Sequence, residues 1–102
     1  MSTRPSKLSE DAREAALASL KGWSYDATEK AITKGFRFAD FSESWGFMNR
    51  AALLAEQMDH HPEWFNVYNK VDVKMTTHDA DGVTQLDIDM ATAMNRFAGE
   101  SA

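Results

Sequence analysis

The chain contains no cysteine. Disulfides, thiolate nucleophiles, iron-sulfur clusters and cysteine zinc sites are thereby excluded by chemistry, and any reaction falls to histidines and carboxylates. Proline and glycine are scarce, at 2 and 5 residues, while 43% of the chain is apolar and 26% charged; that balance belongs to a folded globular domain, not a disordered one. Basic residues are in deficit, 11 against 16 acidic, for a formal charge of −5. That sign repels phosphate backbones and anionic lipid surfaces, so neither nucleic acid nor membrane is an expected partner. No apolar run approaches the length of a membrane span, and Met1 to Lys7 lacks the apolar core of a secretory signal, so a cytoplasmic protein is expected. With 102 residues the chain reads as a single domain, 1–102, with residues 1–7 flexible and no room for a separate cofactor domain. A domain of this size hides only roughly 60–65% of its unfolded surface, so self-association would add useful burial.

What is present falls into an ordered series of elements. Ser9 can cap a first helix whose start carries Glu10 and Asp11 and whose Ala12, Ala16, Leu17 and Leu20 share a face, with Gly22 as its stop. Trp23 and Tyr25 alternate before a polar turn at Asp26 to Lys30, and Ile32, Phe36 and Phe38 then oppose Thr33 and Arg37, which predicts a strand pair. From Asp40 to about Asp59 the spacing becomes helical. Phe41, Trp45, Met48, Ala52 and Ala55 form one stripe there, and Phe47, Ala51, Leu54 and Met58 form another. Two stripes exceed what one sheet covers, and the second is expected to meet another subunit. After Pro62, the residues Phe65, Val67, Val71, Val73 and Met75 alternate with Trp64, Asn66, Tyr68, Asp72, Lys74 and Thr76. A turn near Asn69 and Lys70 would make this a hairpin with one apolar face. Asp79 to Gly82 is a turn, and Thr84 with Asp87 resembles a capping box opening a last helix through Met90, Met94 and Phe97. The order is helix, two strands, helix, two strands, helix: an α+β domain with helices on one face of an antiparallel sheet.

All three histidines fall between Glu56 and Asp87. Glu56 and His60 are four apart, so on a continuing helix the carboxylate would orient the ring, while His61 would point about 100° away. His78, at the end of the second hairpin strand, has the parity of Trp64 and Tyr68 and is expected on the side opposite the apolar residues, provided the turn does not slip by an odd number. Three imidazoles with one or two carboxylates suit an elimination, which needs a proton taken from one atom and another given to a leaving hydroxyl on its neighbour. Trp64 is a candidate to stack on a planar heterocycle.

Taken singly, each residue has a plainer reading. His60 would satisfy loose carbonyls at a helix end, His61 would be a loop residue before proline, and His78 a solvated strand end. Asp87 would cap its helix, a role compatible with a place in the site. Trp64 alone would be core or interface, and Glu56 a solvated helix charge. No H-E-x-x-H or similar spacing marks a metal site, and none is expected.

The positions Glu56, His60, His61, Pro62, Tyr68, His78 and Asp87 resemble the motif of the pterin-4a-carbinolamine dehydratases. That motif runs as an acidic residue, three spacers, His-His-Pro, an aromatic five or six residues on, a further histidine after nine, then aspartate. The stretch Asp59 to Val71 is similar to the family's signature, and F-x-F-x-D-F-x-x-x-W-G-F-M, from Phe36 to Met48, resembles an earlier block. The resemblance implies a four-stranded sheet, dimers joined at the sheet and tetramers joined through the helix 40–59. It also implies dehydration of 4a-hydroxytetrahydropterin to quinonoid dihydropterin, recycling the cofactor of aromatic amino-acid hydroxylases. Catalytic roles follow for His60, His61 and His78, with Glu56 and Asp87 in support and Trp64 added from its position; the pterin is substrate and no cofactor is expected. In animals the family also serves as a dimerisation cofactor of a homeodomain transcription factor, which is the competing reading. An inactive remnant is a third.

Overall fold

A computed structural model describes residues 5–100. The elements are α1 (Glu10–Ala18), β1 (Ser24–Asp26), β2 (Ala31–Arg37), α2 (Phe41–Met58), β3 (Glu63–Val67), β4 (Lys70–Met75), a single 3₁₀ turn at His78–Ala80, and α3 (Gln85–Phe97). The four strands form one antiparallel sheet in the order β1-β2-β4-β3, and the α+β reading holds. Among the described residues no helix is long and apolar enough to cross a membrane. Of the stretch 1–7, residues 1–4 lie outside the described ones. Lys7 is exposed, with its methylenes near Gly82, so a β-carbon there would stand 2.5 Å from Lys7 Cδ, and Leu8 N–H donates to Val83 O at 2.9 Å.

Local capping sets the helix starts. Ser9 accepts from Ala12 N–H, Asp40 accepts from Glu43 N–H at 2.9 Å, and Thr84 and Asp87 complete a reciprocal capping box. Asp59 closes α2 in the left-handed region, φ 51° and ψ 44°, an uncommon conformation for a residue other than glycine. His60 N–H then reaches back to Ala55 O at 3.1 Å, as in a Schellman-type helix end.

The core lies between one face of the sheet and the helices. Ile32, Phe36, Val71, Val73 and Met75 come from the strands, Phe47, Ala51 and Ala55 from α2, and Ile88, Ala91 and Met94 from α3. Phe47 is only 1% exposed and stacks at a tilt on Phe36 and Phe38.

Two sequence expectations are overturned here. The stripe of α2 assigned to another subunit is the one that faces the core: Phe47 and Ala51 are buried, with Leu54 and Met58 half-buried. The stripe expected to be covered instead leaves Phe41 and Trp45 exposed by 48% and 52%. The hairpin likewise has no single apolar face. Its loop is the two residues Tyr68 and Asn69, which pairs Trp64 with Val73 and Asn66 with Val71, and puts Phe65 beside Asp72 and Val67 beside Lys70. A two-residue loop pairs even-numbered with odd-numbered positions, so the apolar set of β3 passes to the outer face.

Candidate functional site

The connection from α2 to β3 and the connection from β4 to α3 meet at one end of the sheet, and all three histidines are on them. They line a cleft of about 260 Å³, with Asp59, His60 and His61 on one side and Thr76, Thr77, His78 and Asp79 on the other.

Each imidazole has its own carboxylate. The left-handed turn at Asp59 directs His60 inward, where it is 6% exposed, and its Nε2 lies 2.5 Å from Asp87 Oδ1. His61 points outward and meets Glu56 Oε1 through Nε2 at 2.7 Å. His78, largely exposed, stands 3.2 Å from Glu63 Oε2. Glu63 also lies 3.8 Å from Lys74 Nζ. Lys74 is held above the ordinary lysine range by its hydrogen bond to Glu29 first, and by the charges of Glu29, Glu63 and Asp26.

The pairing corrects the expected one. Glu56 was placed to orient His60 on a continuing helix, but α2 ends at Met58 and the reversal at Asp59 delivers His61 to that carboxylate instead. β4 ends at Met75, so His78 opens the 3₁₀ turn beyond the strand, where it meets Glu63 at the start of β3 and not Trp64. Trp64, the expected stacking platform, stands opposite Val73 on the core side and packs half-buried against the core. It does not line the histidine cleft. Asp87 combines both roles considered for it. Its Oδ2 accepts from Thr84 N–H at 2.9 Å as a helix cap while its Oδ1 faces His60, and the whole side chain is buried.

Glu63 and Thr77 were not foreseen. Glu63 follows Pro62 and reads as a solvated strand start until the β3–β4 register brings it beside the loop that carries His78. Thr77 donates from Oγ1 to Asp87 Oδ2 at 2.8 Å, a contact ten residues away with no periodic signature. Lys30 Nζ, 3.0 Å from Asp81 Oδ2, ties the loop after His78 to the β1–β2 turn, and this hydrogen bond holds the Asp81 carboxyl below its ordinary range.

Among the described residues no group of three or more histidines and carboxylates is arranged to hold a metal ion. A wider hollow of about 580 Å³ lies on the outer sheet face around Gly35, Phe65 and Asp72 and contains no histidine. Volume alone would favour that hollow; the proton-transfer groups are in the smaller cleft, which is the candidate site on chemical grounds.

Comparison with known proteins shows the family. Residues 6–97 match the model of the family described as pterin 4 alpha carbinolamine dehydratase. A protein of Novosphingobium aromaticivorans, provisionally named pterin-4-alpha-carbinolamine dehydratase, is 58% identical over 91 residues, covering 89% of this chain and 95% of its own. The crystal structure of a transcriptional coactivator/pterin dehydratase from Brucella melitensis superposes with a TM-score of 0.89 at 54% identity, covering 91% of this chain and 99% of that one. A pterin dehydratase-like protein described as a RuBisCO assembly factor in the alpha-carboxysome shares the fold alone, at 18% identity and a TM-score of 0.68 over 78% of this chain and 93% of its own. The chain belongs to the pterin 4 alpha carbinolamine dehydratase family.

Proposed function

We propose that the protein dehydrates 4a-hydroxytetrahydropterin to quinonoid dihydropterin by histidine acid/base catalysis, returning the pterin toward use by an aromatic amino-acid hydroxylase. The observation that carries this reading is the convergence of His60, His61 and His78 on one cleft, each with a carboxylate partner. The cleft, about 260 Å³, lies just below the roughly 300–1,000 Å³ of typical ligand pockets, a scale suited to a bicyclic ring with its side chain left outside.

In this reaction the C4a–O bond breaks, the N5 lone pair forms the C4a=N5 bond, N5 loses its proton and the departing hydroxide gains one. One acid and one base suffice, and the push from N5 calls for no metal or nucleotide. His60 and His78 approach the hydroxyl as proton donors, and His61 binds the ring and takes the N5 proton. Because Nε2 of His60 is directed at Asp87, its working nitrogen is Nδ1. The test is the ultraviolet change as freshly generated carbinolamine collapses with and without protein. Wild type should accelerate it and His61→Ala should lose most of that acceleration; a wild-type protein with no effect would overturn the reading.

A homodimer or homotetramer is part of the same proposal. The edge strand β3 presents Phe65 and Val67, 66% and 50% exposed, with neither lysine nor proline within its five residues to discourage pairing with a second copy. On α2, Phe41 and Trp45 stack on each other at 6.3 Å with Leu53 also exposed. Because the Brucella relative is called a transcriptional coactivator as well as a pterin dehydratase, α2 is also the surface on which a protein partner would compete with self-association.

A further inference from the structure

Thr77 is buried, 3% exposed, and its hydroxyl is turned to the two side chains that cap α3, one of which also meets His60. Its Oγ1 lies 2.8 Å from Asp87 Oδ2 and 2.8 Å from Thr84 Oγ1. Counting protons gives these contacts a direction. An ionised carboxylate only accepts, so Thr77 must spend its one proton on Asp87. The Thr84 hydroxyl must then donate to Thr77, and Thr84 Oγ1 in turn accepts from Leu86 N–H at 3.2 Å. Thr84 backbone N–H supplies the second donor to Asp87 Oδ2. With Oδ2 occupied twice, Oδ1 is left to accept from Nε2–H of His60, which selects the Nε2–H tautomer of the neutral ring and leaves Nδ1 as the nitrogen that takes up and then gives the working proton.

The backbone of Thr77 is equally constrained. Its N–H donates to Gly82 O at 2.9 Å and its carbonyl accepts from Gly82 N–H at 3.3 Å, closing the loop whose first residue is His78. One residue thus joins the carboxylate behind His60 to the loop that carries His78.

We propose that Thr77 is a positioning residue of the dehydration site, setting the Asp87 carboxylate and through it the tautomer of His60, and fixing the spacing between His60 and His78. This rests on the reading of His60 as a proton donor, and the tests separate the two. Removing the hydroxyl by Thr77→Val, nearly equal in shape, should lower kcat about 10- to 100-fold, the range for losing a partner that orients a working histidine. KM should stay close to wild type, because the substrate is not touched. Thr77→Ser, which restores the donor, should recover most of kcat. In wild type, the paired ¹⁵N shifts of the neutral His60 ring should report Nε2–H, and in Thr77→Val a mixture of tautomers.

An Nδ1–H tautomer in wild type overturns the proposal without any variant having to fold. So does a folded Thr77→Val with wild-type kcat, or a Thr77→Ser no better than Thr77→Val. If instead His60→Ala keeps full activity, the reading of His60 fails, while the tautomer measurement still decides whether Thr77 sets the ring.

Discussion

Replacing Asp87 by asparagine changes one oxygen to an amide nitrogen at a fully buried position, with almost no change of shape. Thr84 backbone N–H, 2.9 Å from Oδ2, cannot be reversed, so the amide oxygen must stay on that side, where Thr77 also donates. The NH₂ group then faces His60 Nε2, now 2.5 Å from a carboxylate oxygen. A proton on Nε2 would meet another N–H, so the ring must turn to the Nδ1–H tautomer, and the doubly protonated form is opposed. The reaction needs His60 to cycle through that form. The expected loss in kcat is therefore about 10²- to 10⁴-fold, the value of a positioned acid. The cost to stability is smaller, about 1–3 kcal/mol for weakening buried hydrogen bonds, or about 4–8 °C in Tm per kcal/mol. Steady-state dehydration at saturating substrate, melting by circular dichroism and ¹⁵N shifts of the His60 ring measure the three effects separately. A folded Asp87→Asn protein with kcat within twofold of wild type would refute the reasoning.

The Lys30–Asp81 pair carries a pH dependence whose sign is fixed. Asp81 is lowered from 3.8 chiefly by its hydrogen bond from Lys30, so the stabilisation is present above 3.8 and is lost as pH falls through the lower folded value. The side-chain carboxyl shift of Asp81 should titrate with a midpoint below 3.8, and Lys30→Met should move that midpoint back up toward it; an unchanged midpoint would dismiss the pair. Phe47→Ala, at a site 1% exposed, should cost about 3–5 kcal/mol by denaturant melts. Trp45→Ser, on the exposed side of the same helix, should instead reduce the assembled mass in analytical ultracentrifugation; an unchanged mass would argue against α2 as a self-association surface.

The parts of the fold legible in the sequence are those decided by neighbours along the chain. Ser9, Asp40 and Thr84 announce helix starts because a cap and the N–H that donates to it lie within three residues. The alternation from Trp64 to Met75 announces strands for the same reason. The faces were not legible, since they depend on loop parity and on which of two apolar stripes the sheet accepts. Tyr68, at φ 51°, helps close a two-residue turn that no glycine marks. In α2 the two stripes are similarly apolar, and the three-dimensional contact of Phe47 with Phe36 and Phe38 decides between them.

The site divides along the same line. That His60, His61, His78, Glu56 and Asp87 belong together could be read from their motif, whereas their pairing could not. It turns on Asp59, where one left-handed residue moves His61 to Glu56 and frees His60 for Asp87. Trp64 was misplaced by the parity of the hairpin, and Thr77 and Glu63 emerged only with the register.

The most direct test of the central claim is the rate at which 4a-hydroxytetrahydropterin loses water in the presence of wild type, His60→Ala and His78→Ala at saturating substrate. Acceleration by wild type and a loss of about 10²-fold or more in each folded variant is the expected result. Rates near wild type in both variants would contradict the account.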